Sequence, residues 1–240
     1  MASSTSAPWW LPLRHALGRV RRRFALDTFD IFVRRVGPSD RDFDPHFEAT
    51  TKDGKSAGSY RFAWGTPADI LGCDAHHTEL DERERILGAR RLEFGHQVVV
   101  VFHAQTVVFS MWVNPRNLNV PGALKRALDP HQAFIYKAFT SPEHRGRKLY
   151  EAGMRFVLAD LARQGKTELV GYAHVKKDVS RKGLAALQFE TMGRFRVLRL
   201  PGFQTTLTSA ELRRNFPKKV QRSRTAERLA SPSPPERIPA

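Results

Sequence analysis

Apolar positions along the chain switch between a period of two and a period near 3.6, and each change of period marks an element. Residues 29–34 and 58–64 read as strands, separated by the loop Gly37-Pro38-Ser39-Asp40 and an Asp53-Gly54 turn signal. Thr66-Pro67-Ala68-Asp69 opens a helix, with Thr66 as cap and Pro67 at the first position. Residues 80–94 are charged and apolar at helical spacing. Four consecutive valines within 97–102 make a near-continuous apolar strand, His103-Ala104-Gln105 turns the chain, and 106–113 returns it. Residues 114–129 form an insertion rich in Asn and Pro, placed to line a site because loops over a rigid sheet carry specificity. The β-prone run 134–140 then leads into a turn with Pro and Gly, followed by an amphipathic helix over 149–161 that Gly165 closes. A strand at 168–175, a turn at 176–180, a helix at 182–192 and a strand at 196–200 complete the series. No internal repeat is visible.

The ends read differently. Leu13, Leu17, Val20 and Phe24 fall on one helical face, with Trp9 and Trp10 before them and Arg14, Arg19, Arg21, Arg22 and Arg23 largely elsewhere. That is the composition of an interfacial membrane helix. A stripe packed on its own domain and an organelle transit peptide are the other readings these residues allow. Beyond Pro217, Lys, Arg, Ser and Pro dominate, a composition that builds no core.

Charge follows the same division. Of the net +16, residues 1–23 and 196–240 supply +5 and +7, leaving +4 for the middle, which is an ordinary domain in its charge. Basic ends suggest an anionic surface as partner, and a solvated tail is the plainer account of the C-terminal one. The single cysteine, Cys73, excludes an internal disulfide and fits a reducing compartment. No run approaches the ~18 apolar residues of a spanning helix, and 8–13 is too short and proline-broken for a secretory signal. A cytoplasmic protein, peripheral to a membrane or not, is the expectation.

The most informative stretch is Thr140-Ser141-Pro142-Glu143-His144-Arg145-Gly146-Arg147-Lys148-Leu149-Tyr150. Strand, basic turn and helix together present backbone N–H groups and a helix N-terminus to a phosphate. This stretch resembles the pyrophosphate turn of the GNAT superfamily of acyl-CoA-dependent N-acyltransferases, Arg/Gln-x-x-Gly-x-Gly/Ala. Arg145 holds the Arg/Gln position, while Lys148 and Tyr150 stand where the family has glycines. Residues 184–195, ending Gly193-Arg194-Phe195, resemble the family's last core helix and its closing Gly-Phe. The resemblance covers 97 to about 197.

The resemblance implies an α/β fold: a single GNAT-like domain over about 24–205, with a mixed, mostly antiparallel sheet flanked by helices. A basic segment, 1–23, precedes it and a basic Pro/Ser-rich tail, 206–240, follows. It implies acetyl-CoA or another acyl-CoA as co-substrate, with no metal, held by Ala138, Phe139, Thr140, Arg145, Gly146, Arg147, Lys148 and Leu149. The family's fourth and fifth strands splay around the thioester, here with Tyr136, Lys137, Ala138 and Phe139 on one side and Tyr172, Ala173 and His174 on the other. His174 is the candidate general base, since its ordinary pKa lies near working pH. Phe189 stands where many members carry a Tyr acid, so Tyr136, Tyr150 or solvent is the candidate replacement.

Acyl transfer to an amine is therefore the function expected, with a small-molecule or lipid-linked acceptor such as an amino sugar. The departures at Lys148, Tyr150 and Phe189 keep open a degenerate module that binds without catalysis. The basic ends keep open a nucleic-acid binder, against which stand the near-neutral middle and the lack of a helix-turn-helix or RNP pattern. Cys73, Asp74, His76 and His77 invite a metal reading, but no second cluster completes it. Nucleophile-elbow and P-loop motifs are absent.

Overall fold

The computed structural model describes residues 25–50, 56–73 and 80–217. The expectations placed on 1–23, on the Asp53-Gly54 turn, on His76-His77 and on the tail beyond 217 lie outside these residues. A nine-stranded sheet organises the rest. In chain order its strands are β1 (Ala25–Arg35), β2 (His46–Thr50), β3 (Ser56–Trp64), β4 (Gln97–His103), β5 (Thr106–Asn114), β8 (Gln132–Thr140), β9 (Glu168–His174), β10 (Glu190–Leu200) and β11 (Phe203–Thr208). The spatial order is β11-β10-β1-β9-β8-β5-β4-β3-β2, and every neighbouring pair is antiparallel except β8 with β9. The expected α/β architecture, mixed and mostly antiparallel, is what the chain adopts.

Helices cover both faces. The helix α3 (Leu149–Arg163) lays ten buried residues against one face, where Val99, Val101, Phe109, Met111 and Ile135 meet Met154, Val157 and Leu161. Gly153 makes that close approach necessary: a Cβ there would stand 2.9 Å from the Phe109 ring. On the other face α1 (Pro67–Leu71) and α2 (Glu82–Glu93) enclose Ile70, Val98, Val100 and Trp112. The insertion at 114–129 is a second small sheet, β6 (Asn117–Val120) with β7 (Leu124–Ala127). Its Leu118, Val120 and Leu124 pack on Phe134, Val170 and Phe195, so it is a lid on the core and not an open loop.

Two expectations need correction. The helix expected over 182–192 is α4 (Asp178–Ala186), and 190–200 is β10, which pairs with β1 along its length. Ala-Ala-Leu-Gln-Phe reads as helix locally, but Gln188 turns at φ 61°, and Phe195 and Val197 point into the core with a strand's period of two. The packed structure also runs past 205: β11 reaches Thr208, α5 (Ala210–Asn215) buries Leu212, and Phe216 at its C-cap is buried too. Among the described residues no helix is long and apolar enough to cross a membrane.

Candidate active site

The site begins with a parting of strands. β8 and β9 pair only through Gln132 with Glu168, Ala133 with Leu169 and Phe134 with Val170. Beyond Phe134, β8 carries one residue more than its partner β5: Trp112 faces Tyr136, yet Ser110 faces Phe139. That bulge, with Lys137 at φ 49°, bends β8 while β9 stays in register with β1 as far as His174. The strands separate, and a cleft of about 590 Å³ opens between them. Tyr136, Lys137 and Ala138 line one side and Tyr172, Ala173 and His174 the other, while Phe139, expected with the first group, is not among the lining residues.

The cleft passes through the sheet. Ile135 and Ala173 belong to the core under α3, whereas Tyr136 and Tyr172 pack on the opposite face, and all four line the opening. Two substrates can therefore approach from opposite faces and meet in the gap. Tyr150, on the first turn of α3, forms part of the wall beside Gly183 and Leu184 of α4. Burial pushes its phenol up to about 12.

The turn leading into α3 takes the left-handed region at two residues, only one of them a glycine. Gly146 sits at φ 77°, and a Cβ there would meet nothing within 4 Å, so its surroundings are open. Lys148 holds the N-cap in the left-handed region, at φ 57° and ψ 17°. The first-turn N–H groups of α3 have no carbonyl within the helix to bond and point outward with the positive end of its dipole. Arg145 donates from Nε to the Thr140 carbonyl at 3.2 Å and lies 5.9 Å from the Phe139 ring centroid. Lys148 is exposed, and Leu149 is buried, contributing backbone alone.

Arg147 differs from the expectation of a phosphate ligand. Its Nη1 turns inward, donating to the Ala57 carbonyl at 3.1 Å, to the Tyr60 hydroxyl and to His144 Nδ1 at 3.3 Å. It ties the turn to β3. Burial, with Arg147 and His103 close by, holds His144 below the usual histidine range, so it serves as acceptor in this cluster.

His174 has both ring nitrogens engaged. Nδ1 accepts from the Lys176 N–H at 3.0 Å, and Nε2 lies 3.4 Å from the Asp27 carboxylate. The proton therefore sits on Nε2, toward Asp27, which also pairs with Arg199. Phe189 is not on the last core helix: it follows the end of α4 and is buried in the core. Its alignment with a family Tyr acid does not hold in this fold.

One feature of the cleft escaped sequence reasoning. Tyr136 Oη lies 2.5 Å from His96 Nδ1, and His96 Nε2 lies 3.2 Å from Asn114 Nδ2. The signal was present in the hairpin register, since Gln97 opposite Val113 puts His96 beside Asn114. Burial and the Arg91 and Arg116 guanidiniums push His96 down to about 4. Burial pushes the Tyr136 phenol well above its usual range. A second hollow of about 370 Å³ lies away from the cleft, where Arg194 and Arg181 pair with the buried Asp30. Arg194 donates to Asp30 Oδ1, Arg181 stands 3.2 Å from Oδ2 as an ion pair without a hydrogen bond, and the two cations tie β10 and α4 to β1.

Among solved structures the chain is similar to a protein of Novosphingobium aromaticivorans assigned to the GNAT family of acetyltransferases. Identity is 16% over 73% of this chain and 65% of that one, with a TM-score of 0.46. It is similar to a Salmonella typhimurium protein assigned as an acetyltransferase, with acetyl-CoA as its cofactor (16% identity, 55% of this chain and 79% of that one, TM-score 0.41). A third is an aminoglycoside N-acetyltransferase in complex with coenzyme A (15% identity, 54% of this chain and 90% of that one, TM-score 0.41). No protein-family model and no curated protein matches the sequence. At these identities and scores, the chemistry has to be read from this chain's own residues.

Proposed function

We propose that the protein transfers an acyl group from acyl-CoA to an amine within the cleft between β8 and β9. The observation that carries this reading is the opening lined from both faces of the sheet, with Tyr150 of the first turn of α3 in its wall and the basic turn directly before that helix. The resemblance of residues 140–150 to a pyrophosphate turn supports it. Acyl-CoA supplies a thioester whose carbonyl carbon takes the amine and whose sulfur leaves as a thiolate.

The chain's residues have separate duties. Gly146, Lys148 and the first turn of α3 hold the pyrophosphate through backbone N–H groups, with Arg145 and Lys148 adding charge. Ala138 and Tyr150 wall the path of the pantetheine arm. The amine approaches from the opposite face, past Tyr136. His174 takes its proton at Nδ1, exchanging the Lys176 N–H for the amine, while Asp27 keeps the ring oriented through Nε2–H. Hydrogen bonds of this kind are often redistributed when substrate binds. The acceptor is a small-molecule or lipid-linked amine.

A free-thiol release assay across acyl-CoA lengths with pooled amines tests the reading. Thiol should appear only when an amine is present, together with an N-acylated product. His174→Gln should lower kcat/KM by ~10²–10⁴-fold, the usual contribution of a general base. Equal kcat/KM for variant and wild type across pH 6–9 returns His174 to a structural role. No thiol from any acyl-CoA with any amine overturns the function.

A further inference from the structure

The hydrogen bonds around Asn114 decide which way a proton points in the cleft. Asn114 Oδ1 accepts the backbone N–H groups of Arg116 at 2.9 Å and Asn117 at 3.0 Å, at the turn between β5 and β6. Its amide nitrogen must then be the atom facing His96, and that NH₂ can only donate. His96 Nε2 is consequently an acceptor without a proton, and the neutral ring carries its hydrogen on Nδ1. Nδ1–H donates to Tyr136 Oη. The phenol's own hydrogen cannot point back at His96, and it has no other partner among the described residues.

We propose that His96 is a positioning residue, set by Asn114, which turns the Tyr136 O–H into the cleft as a fixed donor toward the charge that builds on the thioester. This rests on the acyl-transfer reading and extends it to residues that the turn motif does not contain. Tyr136 serves as a donor and not as the acid that protonates the thiolate. Burial holds its proton against loss, and a donor that keeps its proton stabilises a developing anion without transferring anything. The groups that face His96 agree with a neutral ring: burial, Arg91 and Arg116 all oppose a second proton. Trp112 and Phe134 flank the Tyr136 ring at 6.3 Å and 5.7 Å between centroids, so the phenol has little freedom to turn.

Two measurements on the full chain test this separately from the function itself. Nitrogen-15 spectra of the His96 imidazole should show the Nδ1–H tautomer from pH 6 to 8, whether or not a substrate is known. An Nε2–H tautomer, or a mixture, overturns the positioning. In the thiol-release assay, Tyr136→Phe should lower kcat by ~10², as loss of a preorganised donor does, with KM for acyl-CoA nearly unchanged. His96→Phe should lower kcat to a similar degree, and the double variant should be no slower than Tyr136→Phe alone. His96→Asn, whose side-chain amide falls near the place of Nδ1, should recover part of the rate and guards against a folding defect in His96→Phe. Multiplying losses in the double variant, or unchanged kcat in both His96 variants, overturns the proposal while leaving acyl transfer standing. A wild type that releases no thiol removes the function, and the catalytic role of Tyr136 with it, even if the tautomer is as expected.

Discussion

A lysine in the left-handed region is a costly choice, and Lys148 makes it at the N-cap of α3, with φ at 57°. For an L-residue that conformation costs about 1–2 kcal/mol, because Cβ crowds the backbone, whereas glycine adopts it freely. The strain persists because the Arg147 anchor before it and the helix α3 after it fix the turn. Lys148→Gly should therefore raise stability by about 0.5–1 kcal/mol, part of the relief being lost to glycine's freedom in the unfolded chain. Lys148→Val should lower it by about 1 kcal/mol or more, since a β-branched residue tolerates this region least. Urea titration of both variants checks the pair, and a destabilised glycine variant contradicts the account. The special character of this position was legible in the sequence, because the resemblance to a pyrophosphate turn puts glycine there. The roles of His96 and Arg147 were not. Each depends on a partner far along the chain, Tyr136 and Tyr60 respectively, which no local pattern reveals.

At the scale of elements, the turn before α3 divides its cations between two tasks. Arg147 holds the turn against β3 through Ala57 and Tyr60, and Arg145 and Lys148 remain on the open side. Replacing both Arg145 and Lys148 with Glu should weaken coenzyme A binding at least about tenfold while the unfolding temperature holds, since exposed charges contribute little to stability. Arg147→Glu should instead destabilise the fold by about 1–3 kcal/mol, the cost of leaving a half-buried polar cluster without its donor. Calorimetry and thermal unfolding on the two variants separate the tasks. An Arg147→Glu protein with full stability and no binding would restore Arg147 as a phosphate ligand. Most strands and the long helix were readable from hydrophobic period alone. The end of α4 and the start of β10 were not, because a short apolar run suits either structure until its neighbour is known, and here β1 decides. Gly193 shows the same dependence: at φ 152° a Cβ would lie 2.9 Å from the Leu212 backbone nitrogen, so α5 packs where only glycine leaves room.

Across the whole molecule, one local irregularity organises the site. A single extra residue in β8 parts it from β9, and the sheet that gives the domain its core acquires a passage from one face to the other. The splayed pair was expected from the family resemblance, while the bulge that causes it, with Lys137 at φ 49°, was invisible to hydrophobic pattern. Everything proposed for the protein depends on acyl-CoA entering that passage. Ala138 is exposed on its β8 wall, so a bulky side chain there fills the passage without disturbing the core. The most direct test is calorimetric titration of acetyl-CoA into the full-length protein and into an Ala138→Trp variant of unchanged unfolding temperature. Saturable binding at one site in the wild type, lost in the variant, is the predicted result; no binding in the wild type, or equal affinity in both proteins, would contradict it.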